Sequence, residues 1–290
     1  MYRFLAVMRM AKQGRFASCD DAKDGGIQGE VMKDKAIGII GAGSIGTAIA
    51  RLAVTAGFRV LLSNSRGPDT LADKVAELGP MARAATVEDA ASQSDLAFIT
   101  IPFHQIGALP ADRLAGKIVV DVSNYASMRD GHIAEIDDGL LTASAYLQKS
   151  LPEATVVKGF NNLNVPTFVL ARPSEAADRT ALPVAGDDAD AVATFSALMD
   201  QFGFDPVFAG SLAESWRFEP FMPAFVTPYL DNVQALLDFY NGKLVGADGP
   251  PADRGRRVTE GQLRDLLAQA KRGTTMEEAL QHMADIAHTQ

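Results

Sequence analysis

Two short segments carry most of the chemistry this sequence offers. The first is Gly41-x-Gly43-x-x-Gly46, in GAGSIG. The first glycine permits a tight turn, the second lets the backbone approach a pyrophosphate, and the third lets helix and strand pack closely. Ser44 and Ile45 open a helix there. Its free N–H groups and positive dipole end would face the phosphates. The second segment is Ser63-Asn64-Ser65-Arg66, in LLSNSRGP. A site selecting ribose hydroxyls places Asp or Glu at this point, and that carboxylate would repel a 2′-phosphate. Hydroxyl, amide and guanidinium groups instead donate to phosphate, and arginine adds charge. Together the segments predict a site for NADP rather than NAD. A solvated polar turn with one surface arginine is the plain alternative. Neither Gly-Lys pair is followed by Ser or Thr, which argues against a Walker-type loop.

Further candidates lie at the ends of later strands. Ile101 and Pro102 follow one strand, where a tight turn would cover the coenzyme. His104, two residues on, fits a general acid if the acceptor needs a proton, or an ordinary polar loop residue. Asn124 and Asn161 fit hydrogen bonding to a nicotinamide amide or to acceptor carbonyls, with Asn161 also a candidate catalytic group. Turn stabilisation is the alternative for both. Lys158 fits an acceptor phosphate or carboxylate, or a salt bridge. Trp216 fits stacking on a planar substrate. With Phe218, Phe221 and Phe225 it equally fits a subunit interface. His132 lies in a loop, and His282 and His288 lie in terminal helices.

These residues need strands and helices to position them. AIGII (36–40) reads as a buried strand. Ile45, Ala48, Ile49, Leu52, Ala53 and Ala56 then recur at helical spacing up to Gly57, before the strand FRVLL. Leu71, Val75 and Leu78 mark a helix from Pro68 to Gly79. LAFITI, IVVDV, TVVK, LPVAG and DPVFA supply further strands, and Asp187 and Asp188 are good N-caps before the helix 191–202. Strand–helix alternation predicts an α/β fold, a doubly wound, mostly parallel Rossmann-type sheet. After residue 212 an aromatic, proline-rich stretch leads to a helical C-terminal extension. GADGPPADRGRR reads as a loop or linker, and Thr259 and Thr275 begin capping boxes. The expected divisions are an N-terminal extension (1–34), a nucleotide-binding domain (35–212) and a mainly helical region (213–290). The last would serve the acceptor pocket, a homodimer contact, or both.

Composition narrows the classes. The 290 residues suffice for one full core and a small second one. A net charge of -9 without a basic cluster argues against nucleic-acid partners. No apolar run approaches the ~18 residues of a membrane span. The single cysteine, Cys19, cannot form an internal disulfide, so a reducing, cytoplasmic setting is expected. One cysteine and four histidines without zinc-type spacing predict no metal site. Residues 1–31 read as a poorly ordered tail, or alternatively a transit-like leader. Met32, just before the first strand, is a candidate natural start.

The segments GIIGAGSIGTAIA, SNSRGPDTL, FITIPFHQI, KIVVDVSNY, VVKGFNNLN and PVAGDDADA follow in order over about residues 35–212. This series resembles the coenzyme F420-dependent NADP oxidoreductase family. The glycine turn alone is shared with many dehydrogenases; SNSRGP with VVKGFNN is more specific. The resemblance implies direct hydride transfer between NADPH and the deazaflavin F420, and related domains reduce flavins in metalloreductases. The family is similar in fold to pyrroline-5-carboxylate reductases, 6-phosphogluconate enzymes and imine reductases. The tail after residue 212 is longer than a minimal member needs, so the acceptor is open to a flavin or to an imine or small carbonyl, with His104 as proton donor for the latter. A non-catalytic NADP-binding redox sensor is the alternative of another class.

Overall fold

The computed structural model describes residues 35–240, 253–274 and 276–289. The expectations for residues 1–34, with Cys19 and Met32, for the 246–252 part of the linker and for the Thr275 cap lie outside them.

The chain runs β1 (Ala36–Ile40), α1 (Ser44–Thr55), β2 (Arg59–Ser63), α2 (Ala72–Leu78), β3 (Ala82–Ala85), α3 (Val87–Ser92) and β4 (Leu96–Ile99). It continues with α4 (Ala111–Leu114), β5 (Ile118–Asp121), α5 (Ser127–Asp130), α6 (Ala134–Asp137), α7 (Ala143–Ser150) and β6 (Thr155–Lys158). Then come β7 (Thr180–Gly186), α8 (Ala189–Gln201), β8 (Phe204–Gly210), α9 (Val233–Tyr240), α10 (Glu260–Gln269) and α11 (Met276–Thr289). Single 3-10 turns cover Phe103–Ala108 and Leu212–Phe218, among others.

One sheet holds all eight strands, in the order β3-β2-β1-β4-β5-β6-β7-β8. β1 pairs in parallel with both β2 and β4, so the winding direction reverses between β1 and β4. In such sheets the ligand crevice opens beyond the carboxyl ends at this switch point. β6 and β7 are antiparallel and share only two register pairs, Val157↔Gly186 and Lys158↔Ala185. β7 therefore runs on past the carboxyl end of β6, with β8 alongside it in parallel.

The period-2 alternation of strands sorts side chains onto two faces. Ile37 and Ile39 join one core with Ile49 and Ala53 of α1, Phe195 and Leu198 of α8, and Leu263 and Leu267 of α10. Ala36 and Ile40 join the other with Ala90 of α3 and Leu147 of α7. The first core is aromatic at its centre: Phe98 meets Phe160, Phe195 and Phe202 at ring distances of 6.4, 6.1 and 6.3 Å. Burying each such ring contributes about 1.5–3 kcal/mol. α10 starts at the capping box read from sequence, with Thr259 accepting from the Gln262 backbone and the Gln262 side chain accepting from the Thr259 backbone.

Three features depart from the sequence reading. β3 (ARAA) pairs with β2 although its alanines have little strand preference; the edge position lets short side chains suffice. The described part of the linker, from Asp253, is anchored. Asp253 accepts from the Asp231, Asn232 and Gly255 backbones, and the Val258 carbonyl accepts from Ala181 N. Phe218 is fully buried in the main core, so its ring is closed to a subunit interface. A separate small core joins α9 to α11 through Val233, Leu236, Leu237, Leu280 and Met283.

Candidate functional site

The glycine turn lies where β1 meets α1, and each glycine has a separate geometric reason. Gly41 sits at φ 118, and a Cβ there would lie 2.6 Å from the Thr100 carbonyl oxygen. A Cβ on Gly46 would lie 1.9 Å from the Gly41 carbonyl oxygen. A Cβ on Gly43 would meet nothing within 4 Å. The first and third glycines are thus required by the fold, while the second leaves open space over the turn. The Thr100 hydroxyl donates to the Gly41 carbonyl (2.6 Å), and Gly41 N donates to the Ser63 carbonyl (3.0 Å), tying the turn to β4 and β2. No side chain caps α1, whose first residues are Ser44 and Ile45. Its first-turn N–H groups remain available to an anion.

A cavity of about 310 Å³ opens over this turn. Its lining brings together Gly41, Gly43, Asn64, Ser65, Arg66, Ile101 and Pro102, all candidates from sequence. Thr100 and Gln105 line it as well, and sequence reasoning missed both; their place just after β4 was the available signal. Ser44, Ile45 and Gly46, also expected at the coenzyme, are not part of the lining.

The SNSRGP loop divides its labour. Ser63 is fully buried and its hydroxyl donates to the Ile39 carbonyl (3.0 Å), so its side chain serves the β1–β2 edge, not the cavity. Asn64 shapes the loop: its Oδ1 accepts from Arg66 N (3.0 Å) and its Nδ2 donates to the Thr70 hydroxyl (2.9 Å). Ser65 and Arg66 are exposed, and their side chains make no bond or ion pair among the described residues. A hydroxyl and a guanidinium thus stand at the cavity edge with donors to offer. The donor set fits a phosphate, as Gly43 fits a pyrophosphate.

The remaining polar candidates lie at and beyond the carboxyl ends of β5 and β6. Asn124 and Asn161 bond each other: Asn161 Nδ2 donates to Asn124 Oδ1 (3.0 Å) and Asn124 Nδ2 to the Asn161 carbonyl (2.8 Å). Asn161 Nδ2 also donates to the Phe218 carbonyl (2.9 Å), which uses both its hydrogens. Its buried Oδ1 has no partner. Asn161 therefore cannot donate to an acceptor carbonyl, whereas Asn124 keeps one N–H. Both residues lie outside the cavity lining.

Lys158 is fully buried. Its ammonium donates to Asp121 Oδ2 (3.2 Å) and the Ser123 carbonyl (3.0 Å), and lies 3.4 Å from Glu219 Oε1. Burial alone would push its pKa down, but the Asp121 and Glu219 carboxylates outweigh burial and hold it above the ordinary value. Asp121 also accepts from the Ser123 hydroxyl (2.5 Å) and the Ser144 hydroxyl (2.6 Å). Lys158 thus makes a buried salt bridge and is not open to an acceptor anion.

His104 sits on the turn after Pro102, outside the cavity lining, with its side chain 43% exposed. Its Nδ1 lies 3.0 Å from Asp130 Oδ1. Burial would raise the Asp130 pKa, but bonds from Arg129, the Ala126 backbone and His104 hold it well below the usual carboxylate range. His132 pairs with Asp137, and His282 is exposed on α11. Trp216 is half-buried, with the Arg272 and Arg217 guanidinium carbons 4.8 and 5.7 Å from its ring centre. Among the described residues no metal-holding cluster occurs, and no helix is long and apolar enough to cross a membrane.

Comparison with known proteins agrees with this geometry. A family model described as NADP oxidoreductase, coenzyme F420-dependent, matches residues 36–125. Residues 36–125 are thus similar to this family's domain. The chain is similar to Metalloreductase STEAP3 of Rattus norvegicus, with 30% identity over 211 residues, 70% of this chain and 40% of that protein. It spans about two fifths of the length of the curated relatives it matches. A solved structure of a hypothetical protein from Sinorhizobium meliloti is similar at 29% identity and a TM-score of 0.56, covering 66% of this chain and 93% of that one. A solved structure from Arthrobacter sp. FB24, described as an F420-dependent NADP reductase, is similar at 25% identity and a TM-score of 0.52, covering 62% of this chain and 86% of that one. The chain thus carries a Rossmann-like α/β domain similar to those of NADP oxidoreductases.

Proposed function

We propose that this protein transfers a hydride between NADP(H) and a planar acceptor, a deazaflavin such as F420 or a flavin. The carrying observation is the pair Ser65–Arg66: exposed, unbonded donors at the end of β2, where a NAD site would carry an acid, beside an open glycine turn. Arg66 and Ser65 would hold the 2′-phosphate. Gly41, Gly43 and the α1 N-terminus would hold the pyrophosphate, with Ile101 and Pro102 covering the middle of the coenzyme. Asn124 would orient the nicotinamide end. The bound coenzyme supplies the hydride and its electron pair, and the acceptor takes its proton from water. No side-chain acid is needed, and catalysis is mainly positioning. The family match over residues 36–125 supports this choice of acceptor.

The test supplies NADPH with oxidised F420, FMN, FAD, quinones and imines and follows NADPH absorbance. Consumption with F420 or a flavin is the expected result. Oxidation of NADPH by none of them would instead favour an NADP-binding redox sensor.

A second reading, reduction of an imine or small carbonyl, draws on the His104–Asp130 pair. A carboxylate orients Nδ1, and the Gln105 amide, 3.4 Å from the other ring nitrogen, would have to yield for that nitrogen to pass a proton. Its exposed side chain, with Gln105 against that other nitrogen, ranks it second. If His104→Ala keeps full turnover of such a substrate, His104 is not its acid. A homodimer built on the C-terminal helices is part of the proposal, with mass measurement in solution as the check.

A further inference from the structure

We propose that Lys158 is a positioning residue for the hydride-transfer end of the crevice, acting through a closed ring of bonds that aims the Asn124 amide. The proposal rests on reading the crevice as an NADP(H) site. Stability alone does not account for a buried ammonium here. Well-packed apolar residues often replace buried ion pairs without loss of stability. An apolar side chain cannot, however, fix three oxygens on two chain segments far apart in sequence.

Lys158 does that with the Asp121 carboxylate, the Ser123 carbonyl and the Glu219 carboxylate. Ser123 immediately precedes Asn124. Glu219 immediately follows Phe218, whose carbonyl accepts from Asn161. Asn161 and Asn124 then bond each other, which closes the ring. Glu219 is held a second time, by the Ser215 hydroxyl at 3.1 Å. Asn161 follows Phe160, a non-glycine residue at φ 59, so the backbone at this corner is held in an unfavourable conformation. Every hydrogen of the Asn161 amide is used inside the ring. The donor left over is one N–H of half-buried Asn124. Its complement is a carbonyl oxygen, either the nicotinamide carboxamide or a ring carbonyl of the acceptor.

The experiment compares the full-length wild type with Lys158→Met and Glu219→Gln. Dissociation constants are measured for NADPH and for 2′,5′-ADP, which lacks the nicotinamide half, with acceptor KM and thermal melting alongside. Binding of 2′,5′-ADP should stay within about twofold, while NADPH binding weakens or acceptor KM rises about tenfold, the worth of one net hydrogen bond. The first pattern assigns the carbonyl to nicotinamide, the second to the acceptor. Equal losses for NADPH and 2′,5′-ADP, or no change in any constant, would overturn the positioning role. Should Lys158→Met fail to fold, Glu219→Gln keeps the side-chain shape, and the same split is required of it. A wild type that binds neither nucleotide would overturn the NADP reading and this proposal with it.

Discussion

The two ends of the crevice treat their polar groups in opposite ways. At the β2 end, Ser65 and Arg66 stand exposed with their side chains unbonded among the described residues, while Asn64 and Thr70 shape the loop beneath them. At the β5–β6 end, Asp121, Lys158 and Asn161 are buried; Lys158 bonds Asp121, and Asn161 bonds Asn124 and the Phe218 carbonyl. Donors left open at a cavity edge suit a ligand that brings its own charge. Groups bonded internally set geometry and leave little to offer. In the proposed function, one end recognises and the other end aligns.

Substitutions can break or sharpen that contrast. The largest expected effect is at the aligning end: Asp121→Ala leaves the buried Lys158 ammonium with the Ser123 carbonyl and one carboxylate, Glu219, and should destabilise the fold by about 3–5 kcal/mol, read by chemical denaturation. At the recognising end the glycines should separate. Gly46→Ala must push the Gly41 carbonyl aside, with a stability loss of about 1–3 kcal/mol. Gly43→Ala has open space and should melt like the wild type, yet bind NADPH more weakly, because its methyl occupies the room left for the pyrophosphate. Arg66→Ala should leave melting unchanged and weaken NADPH by about 10- to 100-fold, the range for hydrogen bonds to a charged group, while NADH changes little. Equal losses for the two nucleotides would erase the contrast. The smallest effect is a control remote from both ends: Thr259→Ala removes the α10 cap, at a cost of about 1 kcal/mol in stability with NADPH binding intact.

The recognising end was legible in the sequence because its logic is local. A glycine turn between strand and helix, and a strand end lacking an acid, need no knowledge of distant contacts. Even there Ser63 misled: hydroxyl chemistry alone does not say that the side chain faces the Ile39 carbonyl. The aligning end was much less legible. TVVK reads as a strand ending in a cation, but its partners come from β5 and from residue 219, far along the chain. Nothing in the pattern of TALPVAG states that β7 runs against β6, since alternation carries no direction. β3 was hidden by its alanines, and α3 and α7 by helices too short for a clear apolar stripe. The Thr259 box was readable because a cap is a four-residue affair.

Trp216 gives the aligning end a property of its own. It is the single tryptophan in the sequence, and it lies two residues from Phe218 and three from Glu219, flanked by two arginines. All indole emission of the protein therefore originates in the segment that carries Phe218 and Glu219. Under the proposed function, quenching of that lone fluorophore by a reduced nicotinamide would make the chain its own optical probe of coenzyme binding.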